Sequence, residues 1–588
     1  MTIAAERLAA LRAEIAALGV DGFLVPRADE YLGEYVPPSG ERLSWLTGFT
    51  GSAGLAVVLK DRAAIFTDGR YTTQVRQQVD GNLYEYRHLI EEPAPEWLAS
   101  TAPGARIGYD PWLHTEAAIS RYAGVTMVPL PRNPLDAAWR DRPAPPVAQA
   151  RVHGPEYAGK DSAAKRAEAA ADLKKSGESA AVLADPHSLA WLLNIRGGDL
   201  SHTPLALGFA LLGDDGGVQV FMDPAKIGPE VRAHLGNAVS VSPREALPGA
   251  LKALAGRKVR LDPDLTPAWF ARALRDAGAH VTPGDDPCRL PRACKNPVEQ
   301  QGARNAHERD AVAMARFLAW FAREAPQGRL TEVSAAEQLL AFRREVPLFQ
   351  AESFPAISGA GENGAVVHYR ATEESDRPIK PDECYLIDSG AQYLDGTTDI
   401  TRTLFTGPGP APQGLRERYT RVLQGHIALA VARFPKGVAG PHLDALARRP
   451  LWEAGLDYDH GTGHGVGSFL SVHEGPVAFS RAAKVVALAP GMILSDEPGY
   501  YLPGAYGIRI ENLLMVQEAA PQPDQVKPFL EFETITFAPY ARAMIEVALL
   551  TPAERGWIDA YHARVLALLG GKLDAATREW VAEACAPL

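Results

Sequence analysis

The sequence predicts an α/β chain of three domains: two related α/β domains, then a larger domain that carries the chemistry. Three observations predict it. Two Pro-rich breaks divide the chain, a strand–helix pattern recurs on either side of the first break, and Asp, Glu and His gather at strand ends beyond the second.

The length agrees with that division, because 588 residues at roughly 100–200 per domain ask for about three to five domains. With 46% hydrophobic and 22% charged residues, the composition is globular and excludes collagen-like and disulfide-scaffold classes. Sixty Lys and Arg against 71 Asp and Glu give a formal net charge of −11, so no broad basic field exists to hold nucleic acid or anionic lipid. Cys288, Cys294, Cys384 and Cys585 form no CxxC pair, which points to a reducing compartment. Glu6, Arg7, Arg12 and Glu14 interrupt the apolar N-terminal stretch, and the longest aliphatic runs are strand-sized, such as LAVVL at 55–59. A signal peptide needs an unbroken apolar stretch and a membrane span a longer one. The chain reads as a soluble cytoplasmic protein with no nucleic-acid or membrane partner.

The first break is Arg142-Pro-Ala-Pro-Pro-Val147, followed by a helical run from about Pro155. The second is Thr282-Pro-Gly-Asp-Asp-Pro287, after which Asn296-Pro297-Val298-Glu299 opens a helix running to about Glu324. Asn at the N-cap, Pro at the first helical position and Glu at N3 satisfy or avoid the orphan amides of that turn. The expected domains are therefore 1–150, 151–296 and 297–588. The first two look like relatives of each other. Each has a helix, then an apolar strand ending in an acidic turn (22–32 and 180–189), a Trp-Leu pair (Trp45-Leu46 and Trp191-Leu192) and a strand terminated by Asp68 or Asp223.

Two motif matches fail on context. The segment from Gly154 to Asp161 has Asp161 where a phosphate-binding P-loop needs a hydroxyl, and a Pro-rich linker where it needs a strand. The GxGxxG at 359–364 precedes Ala365-Val-Val-His-Tyr369, which reads as a strand, so it is a glycine-rich turn. Neither HExxH nor GxSxG occurs.

What remains is a constellation. Asp388 closes the apolar run from Cys384, and Asp399 heads the strand Ile400–Phe405 eleven residues on. A turn at Asp395-Gly396 makes the pair a hairpin that brings the two carboxylates together. His464 lies in a segment (460–467) too glycine-rich for a helix, whose glycines let the backbone approach something closely. Glu497 and Glu511 each follow an apolar strand. Singly, each has a routine reading as a turn or solvated residue. Jointly they are four hard oxygen donors and one imidazole, which would raise one another's pKa steeply without cations. Two divalent ions balance them; such a donor set favours manganese, with cobalt, iron or zinc as alternatives. Two metals roughly 3.5–4 Å apart can hold a bridging hydroxide and polarise a carbonyl, which is hydrolytic chemistry.

The motifs VVHYRAT at 366–372, YLIDSGAQYLDGTTDITRT at 385–403, HGTGHGVGSFLSVHEGP at 460–476, SDEPGYY at 495–501 and GIRIEN at 507–512 resemble those of the pita-bread metallopeptidases, most closely the three-domain aminopeptidase P (Xaa-Pro aminopeptidase) family. The resemblance covers essentially the whole chain. It implies two creatinase-like N-terminal domains, a pita-bread catalytic domain with a C-terminal extension over 531–588, and release of the residue that precedes a penultimate proline. Asp388, Asp399 and Glu511 are expected on one metal, and Asp399, His464, Glu497 and Glu511 on the other. Glu497 matches the general acid–base, His368 the residue that lines the proline pocket and steadies the tetrahedral intermediate, and His473 the one that contacts the scissile peptide and helps move a proton. His464 and Glu497 also count as substrate-facing. His460 matches a further active-site histidine, and Arg70 a substrate-binding arginine. Members commonly dimerise, so a homodimer acting on Xaa-Pro peptides is expected. The rival readings are a prolidase limited to Xaa-Pro dipeptides and, from another class, a metal-free binding module of the same fold.

Overall fold

The computed structural model describes residues 2–588. The chain forms two compact units, residues 1–154 with 160–289, and residues 155–159 with 290–588.

The first unit holds two six-stranded mixed sheets of identical order and sense. In one, Gly22–Pro26 pairs antiparallel with Leu55–Leu59, which pairs antiparallel with Ala63–Thr67, which runs parallel to Glu85–His88. On its other side lie Arg106–Tyr109 and Thr126–Pro129, both parallel. Ala180–Leu183 occupies the corresponding place in the second sheet. It is flanked by Phe209–Gly213, Val218–Phe221 and Val239–Ser242 on one side, and by Lys258–Leu261 and His280–Pro283 on the other. The two Trp-Leu pairs fall on equivalent short helices, Arg42–Thr47 and Pro186–Leu193. The repeat read from the sequence is therefore a repeat of topology. Within this unit the halves meet through stacked rings, Trp112 on Trp269 at 4.0 Å and Tyr31 on Phe209 at 4.7 Å. Pairs of this kind add about 0.5–1.5 kcal/mol beyond the area they bury.

The second unit opens on the helix Pro297–Glu324, with the anticipated capping box: Asn296 accepts from Val298 and Glu299, and Glu299 accepts from Asn296 N–H at 3.0 Å. The strands Cys384–Ser389 and Ile400–Phe405 pair antiparallel over six positions, from Cys384↔Phe405 to Ser389↔Ile400. A second sheet runs Phe434–Pro435, Phe529–Thr534, Asn512–Glu518, Ile493–Asp496. The helices Gln413–Ala430, Pro552–Leu569 and Ala575–Ala584 share one core, in which Tyr419, Leu423, Tyr561, Val565 and Val581 are fully buried. Thr551 with Glu554 caps the second of these helices and Asp574 the third, at the places their sequence signals mark.

Two local expectations change. Residues 365–369 do not form a strand: after the 3-10 turn Gly361–Ala365 the chain bends, with Tyr369 N–H donating to the Val366 carbonyl at 2.9 Å. Val366 and Val367 favour a strand, but their backbone finds a local turn and the Arg509 guanidinium instead of a neighbouring strand. The helical run from Pro155 is broken at Gly159, which takes φ +64°, and restarts at Ser162 with Asp161 as its N-cap. The would-be P-loop is thus a helix-start signal.

His562, fully buried on the helix Pro552–Leu569, accepts the Tyr540 N–H on Nε2 at 3.1 Å. Burial, aided by the Arg402 and Arg542 charges, pushes its pKa down to about 4. In the unfolded chain it takes a proton near 6.5. Stability is therefore full above about 6.5 and falls as pH drops toward 4, by about 3 kcal/mol from this group. Urea unfolding at pH 7.5 and 5.0 should show a shallower loss in His562→Gln, whose amide oxygen accepts the same N–H without titrating.

Candidate metal centre

The hairpin and the second sheet deliver their acids to one place by register. Asp388 pairs opposite Thr401, and Asp399 immediately precedes Ile400, so both carboxylates sit at the same end of the hairpin. In the other sheet Asp496 pairs with Asn512, and Glu497 and Glu511 are the next residues out from that pair. Glu511 N–H donates to the Thr401 carbonyl at 3.1 Å, joining the two sheets at the cluster. The glycine-rich segment closes the third side: Glu497 N–H donates to the Thr462 carbonyl at 2.8 Å, and His464 N–H to Ser495 Oγ at 2.9 Å. That approach requires glycine. A Cβ on Gly463 would lie 1.9 Å from the Ser495 carbonyl oxygen, and one on Gly465 2.1 Å from that of Glu474.

Asp399, His464 and Glu511 each offer a donor atom, all within 4.8 Å of one another. His464 Nε2 lies 3.5 Å from both Asp399 Oδ2 and Glu497 Oε1, while its Nδ1 faces the Gly465 carbonyl at 2.9 Å. Three of the acids have one oxygen spoken for. Arg509 Nη2 donates to Asp388 Oδ2 at 2.7 Å, Thr401 Oγ1 to Glu511 Oε2 at 2.7 Å, and Ser495 Oγ to Glu497 Oε1 at 3.2 Å. Asp388 Oδ1, Asp399 Oδ1 and Glu511 Oε1 are buried without a hydrogen-bond partner. Leaving such acceptors bare costs about 1–3 kcal/mol each, which a cation would reverse. The donor set is oxygen-rich with one imidazole and no thiolate, so it fits hard divalent ions.

The electrostatics agree with that fit. Burial, then repulsion from Asp399, Glu497 and Asp388, pushes the Glu511 carboxyl well above the usual range. Burial also raises Asp388, against the pull of Arg509, and raises Glu497, against His464 and Arg509. For His464, burial opposes the charged ring, but Asp399 and Glu497 outweigh it and lift the pKa to about 9. Mutual repulsion of this kind is what bound cations would relieve.

Among the other expected residues, the His473 ring stands 4.2 Å from that of His464, edge to face at 76°. His460 has Nε2 2.9 Å from the Tyr501 hydroxyl, and Arg509 Nη1 donates to the same hydroxyl at 2.7 Å. His368 is half-buried in the turn whose Val367 carbonyl accepts from Arg509 at 3.3 Å. Arg70 belongs to the other unit, where Asp68 grips its guanidinium at 3.0 and 2.7 Å. The four acids, the imidazole and His473 thus form one cluster, His460 and His368 adjoin it through Arg509, and Arg70 lies in the first unit beside Asp68.

Sequence reasoning missed Thr401, Ser495 and Arg509. Each stands two residues from a cluster acid (Asp399, Glu497 and Glu511), so strand alternation puts it on the same side. An arginine inside the apolar run Tyr506–Glu511 was the available signal, since a buried guanidinium needs an acid.

Residues 301–518 match metallopeptidase family M24, and residues 528–588 the C-terminal region of peptidase M24. Residues 7–131 and 141–299 each match the creatinase/prolidase N-terminal domain. A protein from Arabidopsis thaliana named aminopeptidase P2 is 39% identical over 616 residues, covering 97% of this chain and 86% of its own. A probable Xaa-Pro aminopeptidase P from Neosartorya fischeri is 39% identical over 610 residues, covering 99% and 92%. The crystal structure of an X-prolyl aminopeptidase from Caenorhabditis elegans, described as a cytosolic enzyme with a di-nuclear active site, matches with a TM-score of 0.95 at 33% identity over 100% of both chains.

Thr401→Val removes only the hydroxyl that orients Glu511. Metal affinity, read by competition with a chelator, should fall by about 10–100-fold while the melting curve stays close to that of the parent.

Proposed function

The chain belongs to metallopeptidase family M24, and on that premise we propose that it is an Xaa-Pro aminopeptidase, releasing the N-terminal residue from peptides whose second residue is proline. The observation that carries the proposal is the buried cluster of four carboxylates and one imidazole with three acceptor oxygens unpartnered. Likeness along nearly the whole chain to relatives named for that activity supports it over a prolidase.

Asp388, Asp399 and Glu511 are proposed to hold one divalent ion, and Asp399, His464, Glu497 and Glu511 a second, with manganese as the proposed metal. When bound, the ions supply Lewis acidity toward the scissile carbonyl and a nucleophilic water near neutral pH.

The chain's own residues do the rest. The bond before proline is a tertiary amide whose nitrogen carries no proton, so the leaving nitrogen must be given one. Glu497, fixed through Oε1 by Ser495, is the proposed base that takes a proton from the attacking water and returns it to that nitrogen. His473, beside His464, assists the transfer; His368 lines the proline slot and donates to the developing oxyanion. Arg70, its guanidinium aligned by Asp68, is proposed to bind substrate, and His460 to act on the site through Tyr501 and Arg509. The proposal extends to domains at 1–150, 151–296 and 297–588, a homodimer, and a cytoplasmic location like that stated for the Caenorhabditis elegans protein. Among the described residues, no helix is long and apolar enough to cross a membrane.

Glu497→Gln should lower kcat on Ala-Pro-Ala by on the order of 10²–10⁴-fold. Exhaustive chelation should abolish turnover and manganese restore it; full activity after chelation would sink the metal assignment. Cleavage of Ala-Ala-Ala in preference to Ala-Pro-Ala would sink the specificity, and activity confined to the dipeptide Ala-Pro would make the enzyme a prolidase.

A further inference from the structure

We propose that Glu474 is a positioning residue for the reaction: its buried ion pairs with Lys295 and Arg292 hold His473 in place against His464. The proposal rests on the reading above, in which His473 faces the scissile peptide.

Glu474 follows His473 directly, in a loop that bends at Val472 and His473, and the two side chains differ in surroundings. His473 is half-buried beside the His464 ring, whereas the Glu474 side chain is 1% exposed. Its carboxylate meets the Lys295 ammonium through Oε1 and Arg292 Nε through Oε2, the latter at 3.2 Å. Both cations are buried as well. Stability alone does not call for such a group, because apolar residues of similar volume often replace a buried ion triad at no cost or with a gain. What the triad does supply is position.

The loop it fixes is tight. Glu474 N–H donates to the Gly465 carbonyl at 2.8 Å, Gly465 N–H to the Val477 carbonyl at 3.0 Å, and His464 pairs with Ala478. A Cβ on Gly467 would come within 3.3 Å of Glu474 Oε2. The anchor on the other side is equally constrained. Lys295 N–H donates to the Gly491 carbonyl at 3.1 Å, and Gln300 Nε2 to the Lys295 carbonyl at 2.7 Å. Gly491 leads into the strand Ile493–Asp496, which ends one residue before Glu497. One short segment, residues 292–296, therefore touches both the loop that carries His473 and the turn that leads to Glu497. It gives the two groups assigned to proton transfer a common reference.

The test separates position from fold. Glu474→Gln alone leaves two buried cations unpaired, so the informative protein is the manganese-loaded triple variant Glu474→Gln/Lys295→Met/Arg292→Met, which replaces the triad with uncharged groups of similar volume. Its melting temperature and manganese content should match the parent. Its kcat on Ala-Pro-Ala should fall by on the order of tenfold to a hundredfold with KM little changed, the scale on which small misplacements act. Glu474→Asp, which keeps the charge but shortens the reach, should fold and lose several-fold in kcat. Parental kcat in either variant overturns the proposal, as does a loss of kcat that merely tracks lost stability or metal. His473→Ala is assayed alongside: if its kcat equals the parent's, the assignment of His473 itself has failed, a result distinct from failure of Glu474.

Discussion

Four mutually repelling carboxylates gathered beside one imidazole and largely withdrawn from water are the constraint to which the rest of the second unit answers. Each repels the others, and burial raises the cost of charging any of them. Among the described residues, Arg509 is the permanent cation in direct contact, through Asp388. A flexible loop would relieve that repulsion by moving an acid into solvent. None of these acids sits on such a loop. Asp388 is within a six-pair ladder, and the other three stand one residue from a paired position; the Glu511 amide donates to a different sheet and the Glu497 amide to the glycine-rich segment. The fold resists the repulsion with backbone hydrogen bonds whose geometry admits little adjustment.

Behind the acids one guanidinium ties the frame together. Arg402, fully buried, donates to the Thr401 and Glu511 carbonyls at 2.9 and 2.7 Å, to Asn512 Oδ1 at 2.9 Å, and to the Ala538 and Pro539 carbonyls at 2.8 and 3.1 Å. Asn512 passes the chain on to the Tyr540 hydroxyl at 2.9 Å, and Tyr540 to His426, whose Nδ1 faces Asp496. Asp496 and Asn512, the paired neighbours of Glu497 and Glu511, are thus bound to one network. Tyr561, on a C-terminal helix, also receives from Arg402 at 3.2 Å. The extension beyond residue 528 is part of the scaffold that keeps the acids in register, even though it contributes none of them.

The parts of this arrangement that follow a period or a cap were legible in the sequence. The helix from Pro297, the helix from Pro552, the repeated sheet and the Asp388–Asp399 hairpin all announce themselves through capping residues, alternation or turn chemistry. The five side chains that the structure gathers were visible because apolar runs end in acids and glycines flank a histidine. What escaped was whatever depends on partners far apart in sequence. The valines at 366–367 read as a strand because propensity is local, and nothing in the sequence says that the edge they would need is absent. The Arg402 hub joins residues from 401 to 561, and no window of sequence contains it. Gly463 and Gly465 could be seen as close approaches, but not that the approached groups are the Ser495 and Glu474 carbonyls.

The same alternation that hides the supporting residues also couples folding to metal binding. Thr401, which serves Glu511, stands two residues from Asp399, Ser495 two from the Glu497 it serves, and Arg509, which serves Asp388, two from Glu511, so each support shares a face with a cluster acid only while the strand keeps its register. A slip of one position would turn acid and support together to the opposite side. The acids cannot be misplaced gradually; they are delivered as a set or lost as a set. An ion that binds only the set therefore stabilises the registered fold by mass action, increasingly as its concentration exceeds its dissociation constant. Without it, the pKa values of Asp388, Glu497 and Glu511 rise, and protons do part of the same work less completely. Metal affinity and the stability of the second unit are on this argument one property of the strand ladders, which is why the frame around the site is so extensively hydrogen-bonded.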